Sequence, residues 1–335
     1  MNPTRTPSNR SQSVSDDDAV RATNDDAATA KLSAVNLGYW SDPFISLFVK
    51  RTDKKIPLIH RGYYARVTAV HSILKQFMAV TTETFKQVVV LGAGFDTSYW
   101  LLKLAEQRIR WYEVDFEAVV MRKAAAIHRQ TPLKTGLRVS EDEPDAPYVY
   151  KNDGQQVHTN RYHLISGDLR QWDQLKAKLA GCDFDPSLPT LVLSECVLIY
   201  LPPENAAEII RWAGSLPQSI FVNYEQILPN DAFGVTMVSN LELRQCALLG
   251  IQAVPDLEAQ RQRFLSNGFA HAHALDMIEV YSAVVQGAER TRIERIERFD
   301  EMEEWDIMLR HYCFSWAVTS QPSAFADIVL RPSSR

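Results

Sequence analysis

The sequence has few cysteines, no excess of basic charge and no long apolar run, and each shortage excludes a class of protein. Its four cysteines, at positions 182, 196, 246 and 313, lie far apart with no CxxC pair and no Cys/His cluster. We therefore expect reduced thiols and no metal site. The formal net charge of −5 lacks the basic footprint of a nucleic acid-binding domain. No apolar run reaches the roughly 18 residues of a membrane span, so we expect a soluble, cytosolic protein with no membrane partner.

The stretch from Gln87 to Trp100 is the centre of the predicted fold. Its apolar, β-branched first half predicts a buried parallel strand, and Gly92-Ala93-Gly94 then forms a turn where a ligand can approach the backbone. A dinucleotide fingerprint would need a third small residue where Thr97 stands. The acid at Asp96 suits a ligand with amines and hydroxyls but no phosphate, such as S-adenosylmethionine. A tight turn without a ligand is the alternative.

Strands and helices alternate along the chain after this turn. The apolar runs that predict further strands lie at residues 110–116, 161–168, 190–200, 219–227, 269–275 and 311–318. Helical periodicity separates them. The alternation predicts an α/β, Rossmann-like fold with a mainly parallel, seven-stranded sheet and helices on both faces. The final two strands need not share the parallel direction.

The remaining segments surround this sheet. We predict a disordered tail over residues 1–24, where almost nothing is apolar, and one domain over residues 25–320. Within the domain the sequence predicts an N-terminal helical cap at 25–80, an exposed insertion at 131–160 and a helical lid insertion at 229–265. Residues 321–335 form a C-terminal tail.

Four strand ends carry glycine or acidic residues in otherwise apolar surroundings. They are Gly92-Ala93-Gly94, Asp115, Asp168 and Glu195. Ligands of open α/β sheets bind beyond the carboxyl ends of the strands, where strand order reverses. Each residue alone could be a helix cap or a surface acid. Their recurrence at matching positions of successive strands favours a single ligand site.

These groups suit the parts of S-adenosylmethionine. The two glycines let the backbone pass the methionyl part. A carboxylate at Asp115 can accept both ribose hydroxyls, and Asp168 with the backbone amide of Leu169 can meet the adenine edge.

Charged residues complete the predicted site. Glu195 interrupts an apolar strand, where an unpaired carboxylate would be costly. A cationic sulfonium or ammonium group of the cofactor is its expected partner. Lys31 and Arg66, which come from the helical cap, can balance the carboxylates.

Several stretches of the chain resemble the leucine carboxyl methyltransferase family. They run in order from about residue 28 to 318 and are Lys31 to Trp40, Arg61 to Arg66, Leu91 to Thr97, Glu113 to Phe116, Ser194 to Tyr200, Asn223 to Gln226, Asp231 to Gly234 and Leu265 to Gly268. The resemblance implies a class I S-adenosylmethionine-dependent methyltransferase. Its substrate and partner would be the protein phosphatase 2A catalytic subunit, bound through its C-terminal tail and active-site face. Methylation of the terminal leucine carboxylate would regulate holoenzyme assembly, and we expect the enzyme to act as a monomer.

The resemblance also assigns site residues. Those implied for the cofactor are Lys31, Arg66, Gly92, Asp115, Asp168, Leu169 and Glu195. Tyr200 and the lid around Asn230–Gly250 would hold the incoming tail. Arg66, whose planar fork can bind a carboxylate bidentately, and Tyr200 are the expected catalytic residues. The carboxylate that Arg66 binds could belong to the cofactor or to the substrate.

Other functions stay open. A related methyltransferase could act on a small molecule or on tRNA, as in wybutosine formation. Relatives of the tRNA type carry a propeller domain, for which a chain ending near residue 335 leaves no room, and the acidic charge disfavours tRNA. A non-catalytic scaffold that binds the phosphatase is disfavoured by the intact glycines and acids. An oxidoreductase is opposed by Thr97.

Overall fold

This computed structural model describes residues 9–50, 53–80, 84–104, 107–137, 149–151, 156–319, 325 and 327–332. The helices are α1 (Asn9–Asn36), α2 (Ile45–Phe48), α3 (Pro57–Ala79), α4 (Ser98–Leu101), α5 (Glu117–Arg129), α6 (Thr131–Gly136), α7 (Trp172–Ala180), α8 (Pro203–Ser215), α9 (Ala232–Leu243), α10 (Leu257–Leu265), α11 (Met277–Val284), α12 (Gly287–Glu294) and α13 (Met302–Arg310). The strands are β1 (Lys86–Leu91), β2 (Ile109–Asp115), β3 (Val149–Lys151), β4 (Gln156–His158), β5 (Tyr162–Ser166), β6 (Thr190–Glu195), β7 (Ser219–Gln226), β8 (His271–Asp276) and β9 (Tyr312–Val318). Among these described residues, no helix has both the length and the apolar character needed to cross a bilayer.

The strands form one sheet in the order β3-β4-β5-β2-β1-β6-β7-β9-β8. The five central strands, from β5 to β7, are parallel, and β9 runs antiparallel to both of its neighbours. Strand order reverses at β1, because the chain adds β2 and β5 on one side and β6 and β7 on the other. The predicted class I methyltransferase fold is confirmed. Of the final pair only β9 departs from the parallel direction, because β8 is antiparallel to β9 and so runs the same way as β7. The described sheet has nine strands and not the predicted seven, since β3 and β4 extend it.

The apolar run of β1 is explained by burial on both faces of the sheet. Val88 and Val90 pack into the core on one face, and Val89 and Leu91 pack into the core on the other. Successive side chains of a strand point to opposite faces, so a strand covered on both sides must be apolar throughout.

A buried ion pair ties the helix after β2 to the glycine turn after β1. Glu113 on β2 and Lys123 on α5 form a salt bridge in which neither side chain is exposed. The Tyr162 hydroxyl donates to the same carboxylate at 2.8 Å, and Lys123 also donates to the Asp96 carbonyl at 2.8 Å. A buried pair of this kind is tolerated only when further hydrogen bonds satisfy both groups. It holds three elements in register beneath the predicted site.

The segment predicted as a disordered tail is helical over residues 9–24, so that prediction is wrong there; residues 1–8 lie outside the described residues. These residues form the first part of α1, which is 28 residues long. Asp17 pairs with Arg170 at 2.8 Å, and Asn24 Oδ1 accepts a hydrogen bond from the Phe95 amide at 2.9 Å. Composition predicts disorder when a segment has too few apolar residues to bury. Here polar side chains find partners on distant elements instead.

The insertion at 131–160 is not exposed throughout, which corrects a second expectation. Leu133 and Leu137 are buried, and the Trp100 indole donates to the Leu133 carbonyl at 3.0 Å. Strands β3 and β4 extend the sheet beyond β5 by antiparallel pairing. Residues 138–148 and 152–155 lie outside the described residues.

Two further segments differ from expectation. The predicted lid at 229–265 divides, because α10 packs on a face of the sheet, where Phe264 contacts Phe221 with ring centroids 5.3 Å apart. Only α9 and the loop after it lie near the carboxyl edge. In the predicted C-terminal tail, Phe325 packs on Phe77 with centroids 5.4 Å apart, and the Ile328 carbonyl accepts from the Trp316 indole at 3.1 Å.

Candidate active site

A cavity of about 360 Å³ lies at the carboxyl edge of the sheet, where strand order reverses. Helices α1 and α3, the ends of the parallel strands and the region after α9 enclose it. The structure brings all nine residues predicted for the site to the lining of this cavity. They are Lys31, Arg66, Gly92, Gly94, Asp115, Asp168, Leu169, Glu195 and Tyr200.

Two physical constraints, backbone conformation and close packing, require glycine at both Gly92 and Gly94 in the turn. Gly92 and Gly94 have φ of +59° and +50°, in the left-handed region that side chains disfavour. A Cβ at Gly94 would lie 2.5 Å from Asn24 Oδ1, and a Cβ at Gly92 would overlap the Val197 side chain. Close protein packing therefore fixes these glycines, in addition to the approach of a ligand predicted from the sequence.

Asp115 ends β2 with its carboxylate held by two backbone amides. The Gly94 N–H donates to Oδ2 at 2.6 Å, and the Phe116 N–H donates to Oδ1 at 2.7 Å. Burial raises the pKa of this carboxyl to about 6, although the two amides oppose the shift. Each oxygen keeps a second lone pair, so the group can still accept two hydroxyl donors in the cavity.

Glu195 already has a cationic partner, which corrects the expectation that a ligand must supply one. Arg66 Nε on α3 donates to Glu195 Oε2 at 2.5 Å, and Arg66 Nη2 donates to the Glu195 carbonyl at 3.4 Å. Both side chains are 12% exposed. Burial alone would raise the pKa of Glu195, but the charges of Arg66 and Lys31 outweigh it and hold the pKa below its usual value.

Asp96 connects Lys31 to the glycine turn. Its Oδ2 lies 3.9 Å from Lys31 Nζ, and its Oδ1 accepts from the Ser98 amide at 2.9 Å. The second contact is a local turn between Asp96 and the first residue of α4. Asp96 also lines the cavity.

Asp168 is held by a charged neighbour. Arg170 Nε donates to Oδ1 at 2.9 Å, and Arg170 Nη2 donates to Oδ2 at 2.7 Å. The same guanidinium binds Asp17 of α1. Leu169 lies between Asp168 and Arg170 in the chain and is buried. The predicted adenine end of the site is thus linked to the N-terminal helix.

Aromatic residues form a wall that sequence reasoning did not assign. Tyr224 and Tyr312 stack with centroids 5.3 Å apart, the Arg66 guanidinium lies 4.7 Å from the Tyr224 ring centroid, and Tyr63 also lines the cavity. Tyr63 and Tyr224 stand inside the family-like stretches, which could have identified them. Tyr312 lies in a stretch whose apolar pattern predicted a strand and no site residue.

The chain leaves β6 through a strained residue. Cys196 has φ of +56°, which is uncommon outside glycine and asparagine. Its amide donates to the Tyr224 carbonyl at 2.6 Å. The turn directs the chain into the 3₁₀ helix Leu198–Tyr200, so Tyr200 faces both the cavity and the segment after α9.

Salt bridges also hold the elements that cover the cavity. Arg244, just after α9, forms a salt bridge with Asp26 of α1, and Arg122 pairs with Asp25 at 2.7 Å. The first contact joins α1 to the lid, and the second joins α1 to α5. The sequence predicted a helical cap from residue 25 onwards but missed residues 9–24 of α1, because their partners lie far along the chain.

The types of residue that line the cavity restrict the reactions that it can support. Among the described residues that line the cavity, none is histidine. Burial raises the pKa of the Cys196 thiol to about 11, so it stays protonated near neutral pH. The described lining therefore offers neither a histidine nor an ionised cysteine as a base, which suits a nucleophile that arrives already ionised and needs positioning.

Comparisons with known proteins agree with this geometry. A family model described as leucine carboxyl methyltransferase matches residues 9–214. The chain is 43% identical over 311 residues to a leucine carboxyl methyltransferase 1 homolog from Arabidopsis thaliana, covering 92% of each chain. It is also 40% identical over 325 residues to the human tRNA wybutosine-synthesizing protein 4, covering 94% of this chain and 46% of that protein.

Among solved structures, the chain is similar to a phosphoethanolamine N-methyltransferase 2 from Haemonchus contortus. That likeness has a TM-score of 0.43 at 15% identity and covers 75% of this chain and 52% of the other. At this level it carries no argument about function.

Replacing Gly94 by alanine separates backbone strain from the packing of α1. Gly287 has φ of +55° with nothing near its missing Cβ, so Gly287→Ala is a matched control for strain of about 1–2 kcal/mol. We expect Gly94→Ala to lose more stability and, because it displaces Asn24, to bind S-adenosylhomocysteine about tenfold more weakly. Urea unfolding and calorimetric titration measure the two effects. Equal ligand affinity in both variants would contradict this interpretation of the turn.

Proposed function

The chain belongs to the leucine carboxyl methyltransferase family, and from this membership we propose that it methylates the C-terminal leucine α-carboxylate of the protein phosphatase 2A catalytic subunit. The cofactor is S-adenosyl-L-methionine, which leaves as S-adenosyl-L-homocysteine. The observation that carries the proposal is the convergence of all nine family-type residues on one cavity that lacks a histidine base among its described lining residues.

The cavity lining fits the cofactor part by part. Asp115 would accept from the ribose hydroxyls, Asp168 and the Leu169 amide would meet the adenine, and Lys31 would neutralise the carboxylate of the methionyl part. Glu195 would face the ammonium group while it keeps Arg66 in place. When bound, the cofactor supplies an electrophilic methyl group on a positively charged sulfur.

The proposed nucleophile needs no activation by the enzyme. A C-terminal carboxyl group has a reference pKa near ~3.5 and is ionised at neutral pH. The protein's tasks are to position a carboxylate oxygen in line with the methyl group and to exclude water. Positioning alone can lower a barrier by roughly 7–11 kcal/mol.

Arg66 has hydrogen-bond donors left with which it could orient a carboxylate. Its Nε and one Nη2 hydrogen serve Glu195, and a guanidinium has five N–H donors. The stacked tyrosines beside it form an apolar wall against a leucine side chain, and Tyr200 closes the site from the lid side. This arrangement supports Arg66 and Tyr200 as the residues that hold the substrate terminus.

The surface around the lid supports a protein partner. Large apolar side chains are exposed on α9 and in the loop after it. They are Phe233, Val235, Leu243 and Leu249. Several exposed apolar side chains on one helix and the loop after it can contribute to a protein-binding site. We propose that the active-site face of the phosphatase subunit covers it while the tail enters the cavity, and that the ester regulates holoenzyme assembly.

Methyl transfer to tRNA is the second candidate. It is favoured by the 40% identity to the wybutosine-synthesizing protein. The net charge of −5 opposes it, since phosphate backbones are bound mainly through lysine and arginine.

A labelling experiment tests the proposal. Incubated with radiolabelled S-adenosylmethionine, the chain should label the purified phosphatase subunit only when its terminal leucine is present. Mild base should release the label, as expected for an ester. Label on tRNA and not on the subunit would support the second candidate. Label on a subunit that lacks the leucine would overturn the proposed substrate.

Cofactor affinity should fall as pH decreases through about 6, the raised pKa of Asp115. Protonation removes the charge that the ribose hydroxyls bind, so the dissociation constant should rise by up to about tenfold per pH unit below that value. Calorimetric titration with S-adenosylhomocysteine between about pH 5 and 8 measures the slope. Asp115→Asn should bind weakly with no such slope, whereas Asp168→Asn should retain it. A wild-type affinity that does not change with pH would exclude this role.

Removing Arg66 should abolish turnover for two separable reasons. Arg66→Ala leaves Glu195 buried without its partner, which typically costs about 3–5 kcal/mol of stability. The double variant Arg66→Ala/Glu195→Gln removes the unpaired charge, so its stability should recover. We expect turnover to stay at least about 100-fold below wild type in both variants, because a charge-assisted bond to the substrate is lost. Thermal unfolding and the methyl-transfer assay report the two effects; wild-type turnover in the double variant would refute a role in orientation.

A further inference from the structure

A cluster of three potential metal ligands lies outside the cavity. His158 is on β4, His163 is directly opposite it on β5, and Cys182 follows α7. Their ligating atoms all lie within 4.8 Å of one another. None of the three lines the cavity at the carboxyl edge, so the proposed methyl transfer does not account for them.

The distances within the cluster match a tetrahedral zinc ion. Zinc bonds of about 2.0–2.1 Å to nitrogen and 2.3 Å to sulfur, at tetrahedral angles, place two nitrogens about 3.3 Å apart and a nitrogen and a sulfur about 3.6 Å apart. The two Nδ1 atoms of His158 and His163 are 3.2 Å apart. Cys182 Sγ lies 3.7 Å from His158 Nδ1.

The chemistry of the set also favours zinc. Two imidazoles and a thiol select zinc over magnesium or calcium, which prefer oxygen ligands. His163 is buried and stacks on Tyr112 with centroids 5.0 Å apart, so its ring is fixed in orientation.

Hydrogen bonding alone explains the cluster less well. The 3.2 Å between the two Nδ1 atoms lies within the range of a hydrogen bond, but such a bond between the imidazoles does not explain why Cys182 Sγ converges on the same Nδ1. We propose that His158, His163 and Cys182 form a zinc site that fastens the edge strand β4 to β5 and to the turn after α7. The fourth position is left for water or an exogenous ligand, and the Cys182 proton is released to solvent on binding.

Sequence spacing did not reveal this set. The histidines stand on two paired strands, and the cysteine comes after a helix, so only the fold brings them together. The expectation of no metal site rested on the lack of a local Cys/His pattern.

Metal binding by the full chain tests the proposal. The protein is stripped with a chelator, loaded with zinc chloride, passed through gel filtration and assayed by elemental analysis; cobalt(II) is the optical probe. We expect about one zinc ion per chain and, with cobalt, tetrahedral bands together with a thiolate charge-transfer band. Wild-type protein that retains no zinc would overturn the site.

Two pairs of variants test the ligands. Cys182→Ser and His158→Gln should bind zinc more than about tenfold more weakly, and Cys182→Ser should lose the charge-transfer band. The matched controls Cys246→Ser and His128→Gln should bind like wild type. A Cys182→Ser variant with full zinc content and an unchanged band would exclude the proposal.

Thiol protection gives a measurement that does not depend on how the variants fold. In wild-type protein, zinc should slow alkylation of Cys182 by iodoacetamide, followed by peptide mass spectrometry, and leave Cys246 unaffected. An alkylation rate at Cys182 that zinc does not change would contradict its role as a ligand.

Discussion

The ion pair between Arg66 and Glu195 is the constraint on which the site depends. It joins a helix of the N-terminal cap to the end of a central strand, and both side chains are 12% exposed. Two buried charges are stable only when they satisfy each other, because removal of either leaves the other desolvated and unpaired. The pair therefore fixes the distance between α3 and β6. The residues that follow, from the left-handed Cys196 to Tyr200, inherit their positions from it. A change in this pair would therefore move Glu195 at the strand end and Tyr200 beyond it together.

The cover of the cavity is held by weaker interactions than its floor. In the pairs Arg122–Asp25 and Arg244–Asp26 the side chains are about half exposed, and exposed pairs of this kind typically contribute about 0–1 kcal/mol. By contrast, neither side chain of the Glu113–Lys123 pair beneath the glycine turn is exposed. Salt screens the exposed pairs far more than the buried ones. The sheet and its turns thus form a rigid base, while the exposed ion pairs across the cover are weak enough for a single ligand-binding event to outweigh. That difference suits a site that must admit a cofactor and, as proposed, a protein terminus.

The sequence predicted the parts of this protein that depend on local pattern. Apolar runs identified the central strands, and the acids and glycines at their ends identified the cavity lining, because the carboxyl ends of parallel strands meet at one edge. What it could not predict depends on partners distant in the chain. Lys31 and Arg66 were expected to balance the carboxylates, but the direct pairing of Glu195 with Arg66 was not specified, because Arg66 lies 129 positions earlier. Residues 9–24 lacked an apolar face, yet Asp17 and Asn24 are satisfied by Arg170 and the Phe95 amide. The short strand β4 carried no periodic signal, since pairing with β5 and not its own pattern orders it.

The succession of side chains linked by hydrogen bonds does not by itself identify a reaction in this chain. Ser33, His60 and Glu297 form a line in which Ser33 Oγ lies 2.8 Å from His60 Nε2 and His60 Nδ1 lies 2.8 Å from Glu297 Oε2. That is the connectivity of a hydrolytic triad. His60 and Ser33 are both buried, and neither lines the cavity. Tyr39 donates to the same Glu297 carboxylate at 3.1 Å, so the network joins α1, the segment after it, α3 and the loop after α12. Its polar groups satisfy one another inside the cap, where no substrate carbonyl could reach the serine. The residues at the carboxyl edge have simpler contacts, but they face open space, and access distinguishes a site from a structural network.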